Sequence, residues 1–348
     1  QIVWLNQIWP ASAGGVDDFM RHIVPPGHRS AICFDHVDSE FSQIIASAAR
    51  RRAIACIAFP HGEIPYINLL TSADHIALEP SSRANFDHFD TVLTSSDLYV
   101  QKYTPRDSEK YLTMGSSRYN SRWLAVLDNI VPAFSTTSLD GLRIALFLPK
   151  AGKQVFWEEL VASVKTILLL DGLNLVISHH PRKILSESTV RDTDGGVSNV
   201  LSERESVPFP GTLNDAMHGV GTTSKIIYGD VLSTSLVRWA DVCISLGTSI
   251  TFEAVVRGKP VIELSYCHGN YSTIAKFLPE TDHRSRDHLI GTLRKILHQT
   301  NSSTKEPLDS YYDEADRNCF ISELIDGGGP DVLAAYSAFL RRLVNGFE

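Results

Sequence analysis

Two short stretches of this 348-residue chain combine residue types that could hold an anion. The first is VISHHPRK, residues 176–183, where an apolar run ends on His179 and His180 and Pro181 breaks it. Neighbouring side chains of an extended segment point to opposite faces, so one histidine faces a core and the other the open side. Pro181 ends the strand and puts His180 at its tip, with Arg182 and Lys183 next. Imidazole, guanidinium and ammonium groups can all donate charge-assisted hydrogen bonds, which suits a phosphate. A capped strand end with solvated basic residues is the plain alternative. A metal is disfavoured, because no HxxxH or HExxH spacing supplies further ligands nearby.

The second stretch is ADVCISLGTSITFEAVVRGKPVIEL, residues 240–264. A strand ends at Leu246, Gly247 permits a tight turn, and Thr248 and Ser249 stand where a helix begins. Free backbone N–H groups and two hydroxyls there make an anion site that needs no net charge. Glu253 lies one helical turn on, where a carboxylate could accept from ribose hydroxyls. Helix capping alone would explain Thr248 or Ser249, but not the whole arrangement. A weaker signal is LPKAGKQ, residues 148–154, where Lys150 and Lys153 flank Gly152 ahead of a helix. The GxxxxGK[ST] spacing is absent, and an exposed turn with two lysines explains it equally well.

The elements that must position these residues alternate. IVWL, SAICF, AIACIAF, HIAL and FDTVLTSS read as strands in the first third, separated by GGVDDFMRHIV and SEFSQIIASAARRR as helices, the latter with Ser39 as N-cap. Around residues 133–141 the pattern lapses into AFSTTSLDG, and then it restarts. LRIALFL, LNLVIS, SKIIYGD, DVCISL and PVIEL are strands; KQVFWEELVASVKTILLL, SLVRWA and SITFEAVVRG are helical. The polar, glycine-rich segment 184–224 reads as a long loop. Continuous apolar strands separated by helices indicate parallel sheets covered on both faces. The C-terminal PDVLAAYSAFLRRLVNGF carries an apolar stripe at helical period and must pack on something. The expected fold class is α/β: two Rossmann-like domains with an interdomain cleft and a C-terminal crossover helix. The domains are expected at 1–136, completed by the helix 330–347, and at 140–329.

Composition bounds what such a chain does. It is 43% hydrophobic and 21% charged, and its 32 basic and 40 acidic residues leave a net charge of −8. A general nucleic-acid-binding role, which normally shows as a basic excess, is disfavoured. Five single cysteines without a CxxC pair read as reduced, buried thiols of a cytoplasmic protein. The longest apolar stretch, TILLLDGLNLVI, is broken by polar residues and too short to span a bilayer. No cleavable signal is visible, and Gln1 in place of Met leaves a trimmed N-terminus open.

An HP pair at one strand tip followed by ADVCISLGTSITFEAVVRGKPVI resembles the nucleotide-binding half of GT-B glycosyltransferases, over residues 142–264. The likeness is to bacterial surface-carbohydrate enzymes, including the sialyl- and Kdo-transferases with an HP motif and a Ser/Thr-Ser motif. That family's acidic D/E-D-G motif is not evident, and VDDF (Asp17, Asp18) is only a loose substitute. The resemblance implies a CMP- or UDP-linked sugar donor whose phosphate is held by His180-Pro181 on one side and Thr248-Ser249 on the other; the reading of the residues themselves adds Arg182, Lys150, Gly247 and Glu253 to that site. It implies a glycan or lipid-linked glycan acceptor, no metal, no cofactor beyond the nucleotide-sugar substrate, and peripheral association with the inner membrane or other biosynthetic enzymes.

The N-terminal half would then hold the acceptor and the base. Gly14-Gly15 would leave room for a substrate, with Asp17 and Asp18 close behind; dipole-stabilised carboxylates are the alternative there. His61 and Glu63 in FPHGEIPY end the third strand, and either could deprotonate an acceptor hydroxyl, with Asp17 as a third candidate. Arg118 in MGSSRYNSRW suits an anionic acceptor or donor, or is a surface arginine. The rivals are a nucleotide-sugar epimerase or hydrolase of the same architecture, and a non-catalytic nucleotide-sugar-binding protein.

Overall fold

Strand runs rich in Ala, Val, Ile and Leu, with no polar alternation, suit the interior of parallel sheets, and the computed structural model builds two of them. It describes residues 15, 18, 20–22, 30–35, 40–60, 66–68, 88–97, 108–134, 141–149, 155–178, 226–228, 232–301, 311–327, 329 and 331–345. The chain divides into two compact units, one of residues 1–63, 72–123 and 321–348, the other of 64–71 and 124–320. The expected strands IVWL and HIAL and the loop 184–224 lie outside the described residues.

In the first unit, β1 (Ala31–Phe34), β2 (Ala55–Ala58), β4 (Thr91–Thr94) and β5 (Tyr111–Thr113) form an all-parallel sheet in that order. Helix α1 (Glu40–Arg50) turns Ala46 and Ala49 onto Cys56, Phe34, Val92 and Met20. Small alanines there let the helix approach the sheet closely. Asp90 accepts from Cys56 N at 2.7 Å and so orders the entry to β4. Helix α2 (Ser121–Ile130) follows β5.

The second unit holds a six-stranded parallel sheet. Its strands are β6 (Leu142–Phe147), β7 (Leu173–Ser178), β8 (Ile226–Tyr228), β9 (Val242–Ser245), β10 (Val261–Leu264) and β12 (Asp282–His283). Helices α3 (Trp157–Leu168) and α6 (Arg286–Asn301) share one core with it, through Leu160, Val164, Ile167, Leu289 and Leu293. Helices α4 (Ser233–Trp239) and α5 (Ile250–Val256) pack together, and Phe252 of α5 stacks on Phe320, which ends α7 (Glu314–Phe320), at 5.6 Å. A short antiparallel pair, β3 (Tyr66–Asn68) with β11 (Asn270–Ser272), joins this unit. No periodicity announced it, because three residues carry too little pattern.

A π-helical turn, Ile321–Ile325, leads to the last helix, α8 (Val332–Asn345), in the first unit. Its stripe buries Val332, Tyr336 and Phe339 on Ile57 and Leu93. Tyr336 satisfies its hydroxyl on the Gly115 carbonyl at 3.0 Å. Three of the five cysteines, Cys56, Cys243 and Cys267, are buried, and burial pushes their thiols up to about 11 or 12. Cys33 and Cys319 are exposed, so the expectation of buried thiols is too broad. Among the described residues no helix is long and apolar enough to cross a membrane.

Candidate functional site

The second unit's strands run β8-β7-β6-β9-β10-β12 across the sheet. In chain order that is 3-2-1-4-5-6, so the winding reverses between β6 and β9. Open parallel sheets bind ligands outside the carboxyl ends of their strands at such a reversal. The pairing registers put Ser178, Phe147, Ser245, Glu263 and Asp282 in one row across β7, β6, β9, β10 and β12, at those carboxyl ends. Four of the five are polar and none is more than 9% exposed, where apolar side chains would be the rule. Directly beyond β9 comes the turn Leu246-Gly247-Thr248-Ser249.

Gly247 has φ of 69°, a left-handed conformation that a side chain resists, and it lets the chain reverse at once into α5. Its backbone N–H donates to Glu263 Oε2 at 3.0 Å, and Thr251 Oγ1 donates to Glu263 Oε1 at 3.0 Å. Thr251 Oγ1 also lies 3.0 Å from Ser245 Oγ and 2.7 Å from the Thr248 carbonyl. Ser245 Oγ lies 3.0 Å from Thr248 Oγ1 and accepts from Thr248 N at 3.2 Å. Burial pushes the Glu263 carboxyl up to about 7, against the Gly247, Thr251 and Ser245 hydrogen bonds, while Asp282 raises it further. Four side chains and a glycine amide therefore form one connected polar network under the turn.

Of the expected donor-binding residues, Gly247, Thr248 and Ser249 come together at this turn. Ser249 has helical backbone angles (−64°, −15°) and makes no side-chain cap hydrogen bond, so capping does not account for its hydroxyl. Glu253 is 2% exposed; it accepts from Thr234 Oγ1 of α4 at 2.9 Å and from Arg257 Nε at 2.8 Å. Arg257 in turn pairs with Asp128 at 2.9 Å. That places the carboxylate in a network tying α5 to α4. Arg118 is exposed and lies over the Tyr119 ring. Gly15 is already helical, and Asp18 is an exposed partner of Arg21 at 2.9 Å. Gly14, Asp17, His61, Glu63, Lys150, His180, Pro181 and Arg182 lie outside the described residues.

Sequence reasoning missed Ser245, Thr251 and Glu263. One signal was there to read: PVIEL carries a carboxylate in the middle of an apolar strand, and a charge is rarely buried without a purpose. Ser245 and Thr251 had no signal of their own, since they flank the turn from β9 and α5 and meet Glu263 only through register and helix phase.

No protein-family model and no curated sequence matches the chain. Solved structures do. The S. aureus MnaA structure with UDP is 12% identical, with 99% of this chain and 83% of that one covered, at a TM-score of 0.54. The UDP-GlcNAc 2-epimerase of Neisseria meningitidis, bound to UDP-GlcNAc, is 12% identical, with 99% and 83% covered and a TM-score of 0.55. The HepE protein of Anabaena, in complex with UDP and glucose, is 10% identical, with 99% and 84% covered and a TM-score of 0.51. At such identities the likeness is one of fold: this chain has the two-unit, parallel-sheet α/β fold of these GT-B-like proteins.

Proposed function

We propose that the chain is a nucleotide-sugar enzyme, a glycosyltransferase that moves a sugar from a UDP-linked donor to a glycan acceptor without a metal ion. The observation that carries the reading is the Leu246–Ser249 turn at the winding reversal, with Thr248 and Ser249 hydroxyls half-buried at its rim. UDP is preferred to CMP because the solved structures of like fold hold UDP, UDP with glucose, or UDP-GlcNAc. In this reading the Thr248 and Ser249 hydroxyls, with His180, Arg182 and Lys150, donate to the phosphates. Charge that develops on the leaving diphosphate then meets preplaced donors, which is the work a metal does elsewhere. Glu253 fixes α5, and through it the turn. The base that takes the acceptor hydroxyl's proton is sought among His61, Glu63 and Asp17, with Gly14, Gly15 and Arg118 on the acceptor side.

A second reading, epimerisation of the nucleotide-sugar itself, is favoured by one specific observation: the likeness to the 2-epimerase of Neisseria meningitidis runs over 99% of this chain. The two readings separate cleanly. Incubated with UDP-GlcNAc alone, a transferase leaves the sugar unchanged until an acceptor is added, whereas an epimerase forms product from the donor alone. Thermal-shift screening with UDP, CMP, GDP and CDP tests the donor site first. UDP is expected to stabilise the protein most, and His180→Ala to weaken that shift. If no nucleotide stabilises the chain, the donor-site reading fails. Loss of turnover in His61→Ala with UDP binding intact is the expected sign of the base; full activity removes it from that role.

A further inference from the structure

Glu263 is a buried ionisable group to which the donor-site reading gives no task. It is 0% exposed on β10, and its two oxygens accept from the Gly247 amide of the turn and from Thr251 of α5. We infer that Glu263 is a positioning residue that sets, through a chain of three hydroxyls, whether Thr248 offers its proton to a bound phosphate. The inference rests on the donor-site reading and deepens it.

The chain is continuous: Glu263 Oε1, Thr251 Oγ1, Ser245 Oγ and Thr248 Oγ1 are joined by three steps of 3.0 Å each. Each hydroxyl has one proton to give and can accept as well. When Glu263 is ionised it only accepts, so the protons run inward: Thr248 donates to Ser245, and Ser245 and Thr251 donate to Glu263. The Thr248 proton is then spent inside the protein. When Glu263 is protonated it donates to Thr251, and the direction reverses: Thr251 donates to Ser245, Ser245 to Thr248, and the Thr248 hydroxyl proton is free to point outward. Gly247 N–H keeps its acceptor on Oε2 in both states, so the turn holds its shape. Direct Coulomb repulsion between a carboxylate and a phosphate acts in the same sense.

The surroundings place the switch in the neutral range. Burial favours the protonated acid, and of the elements packed on Glu263, β12 contributes a like charge in Asp282. Asp282 is itself paired with Arg284 at 2.6 Å, which tempers it. The next residue, His283, faces the opposite side of β12, as alternation along a strand requires. From β9, the turn and α5, the groups facing Glu263 are Ser245, Gly247 and Thr251, none of which titrates near neutrality.

The consequence is that phosphate binding takes up a proton. The probe is UDP-GlcNAc, a diphosphate diester whose own charge is constant in this range. Its Kd, measured by calorimetry on the full chain, is expected to weaken about tenfold from about pH 6 to about pH 8.5, with net proton uptake when buffers of different ionisation enthalpy are compared. Glu263→Gln, whose amide donates as the protonated acid does, should bind at the wild-type low-pH affinity across the whole range. Ser245→Ala, which removes the hydroxyl next to Thr248 but leaves Glu263 in place, should lose most of the pH dependence. Wild type and Glu263→Gln binding with parallel pH profiles, or binding to wild type without proton uptake, overturns the role of Glu263 alone. Absence of UDP-GlcNAc binding by every protein at every pH overturns the donor-site reading beneath it. The proton-uptake measurement needs no variant, so a Glu263 variant that does not fold still leaves the inference open to refutation.

Discussion

At the residue scale, two buried ionisable side chains stand one strand apart and pull stability in opposite directions with pH. His283 is fully buried between the Thr281 carbonyl at 3.0 Å and Thr292 Oγ1 at 2.9 Å, and it stacks on His288. Burial pushes it down to about 4, from an ordinary 6.5. A group held neutral in the fold but protonated when unfolded costs stability as pH falls, here from 6.5 through about 4, on the order of 3 kcal/mol at the limit. Urea unfolding at about pH 7 and about pH 5 should show a smaller acid loss in His283→Gln than in wild type. Glu263 has the reverse sign. Its carboxyl is raised from 4.5 to about 7, so its contribution is full below 4.5 and is lost as pH rises through about 7. Between about pH 5 and about pH 8, wild type should therefore lose melting temperature relative to Glu263→Gln. Glu253 makes a third case. Replacing it with Ala leaves Thr234 Oγ1 and Arg257 Nε without their acceptor, with Asp128 alone still pairing the guanidinium, and unfolding should register a loss of about 2 kcal/mol. His283 carried no sign of its burial in the sequence, whereas Glu263 showed itself only as a carboxylate inside the apolar run PVIEL.

At the element scale, α1, α3, α4, α5 and α8 and strands such as β6, β7 and β9 followed from pattern. Helices α2, α6 and α7 and strands β5 and β12 did not, and no element's partner did. Helix α3 buries Leu160, Val161, Val164, Ile167 and Leu168, the spacing that its sequence displays. Helix α8 does the same with Val332, Tyr336 and Phe339, and only the structure says that Ile57 and Leu93 receive them. Truncating Phe339 to Ala should cost about 3 kcal/mol in the first unit, read from its unfolding transition. Gly115 meets the end of the π-helical turn. It has φ of 81°, and a Cβ there would lie 2.7 Å from Val332 Cγ2 and 2.8 Å from the Ile325 carbonyl. Ser116 N already donates to that same carbonyl. Gly115→Ala is thus both strained and crowded, and a loss of about 2 kcal/mol or more is expected by denaturant unfolding. Nothing in MGSSRYN distinguishes this glycine from one in an open turn, because the crowding comes from residues two hundred positions on.

At the scale of the whole molecule, ligand binding in one of two compact units gives a direct physical test. If UDP binds the second unit, a hundredfold excess over Kd stabilises that unit by about 2.7 kcal/mol and leaves the other's own unfolding unaffected. Calorimetry should then show UDP raising the transition that contains residues 124–320. The sequence by itself determined the alternation of strands and helices, the parallel character of both sheets, the amphipathic stripes, and the turn at Gly247 with its two hydroxyls. These are properties of runs and spacings, set by local sterics and by which residues avoid water. What only the tertiary structure decided is where the runs meet. The strand order that puts the turn at the winding reversal, the register that lines Ser245 with Glu263 and Asp282, and the burial that raises the Glu263 carboxyl all depend on contacts between distant segments. A local pattern says which face of a strand is buried; it does not say what faces it there, and in this protein that neighbour is what makes a glutamate in an apolar strand matter.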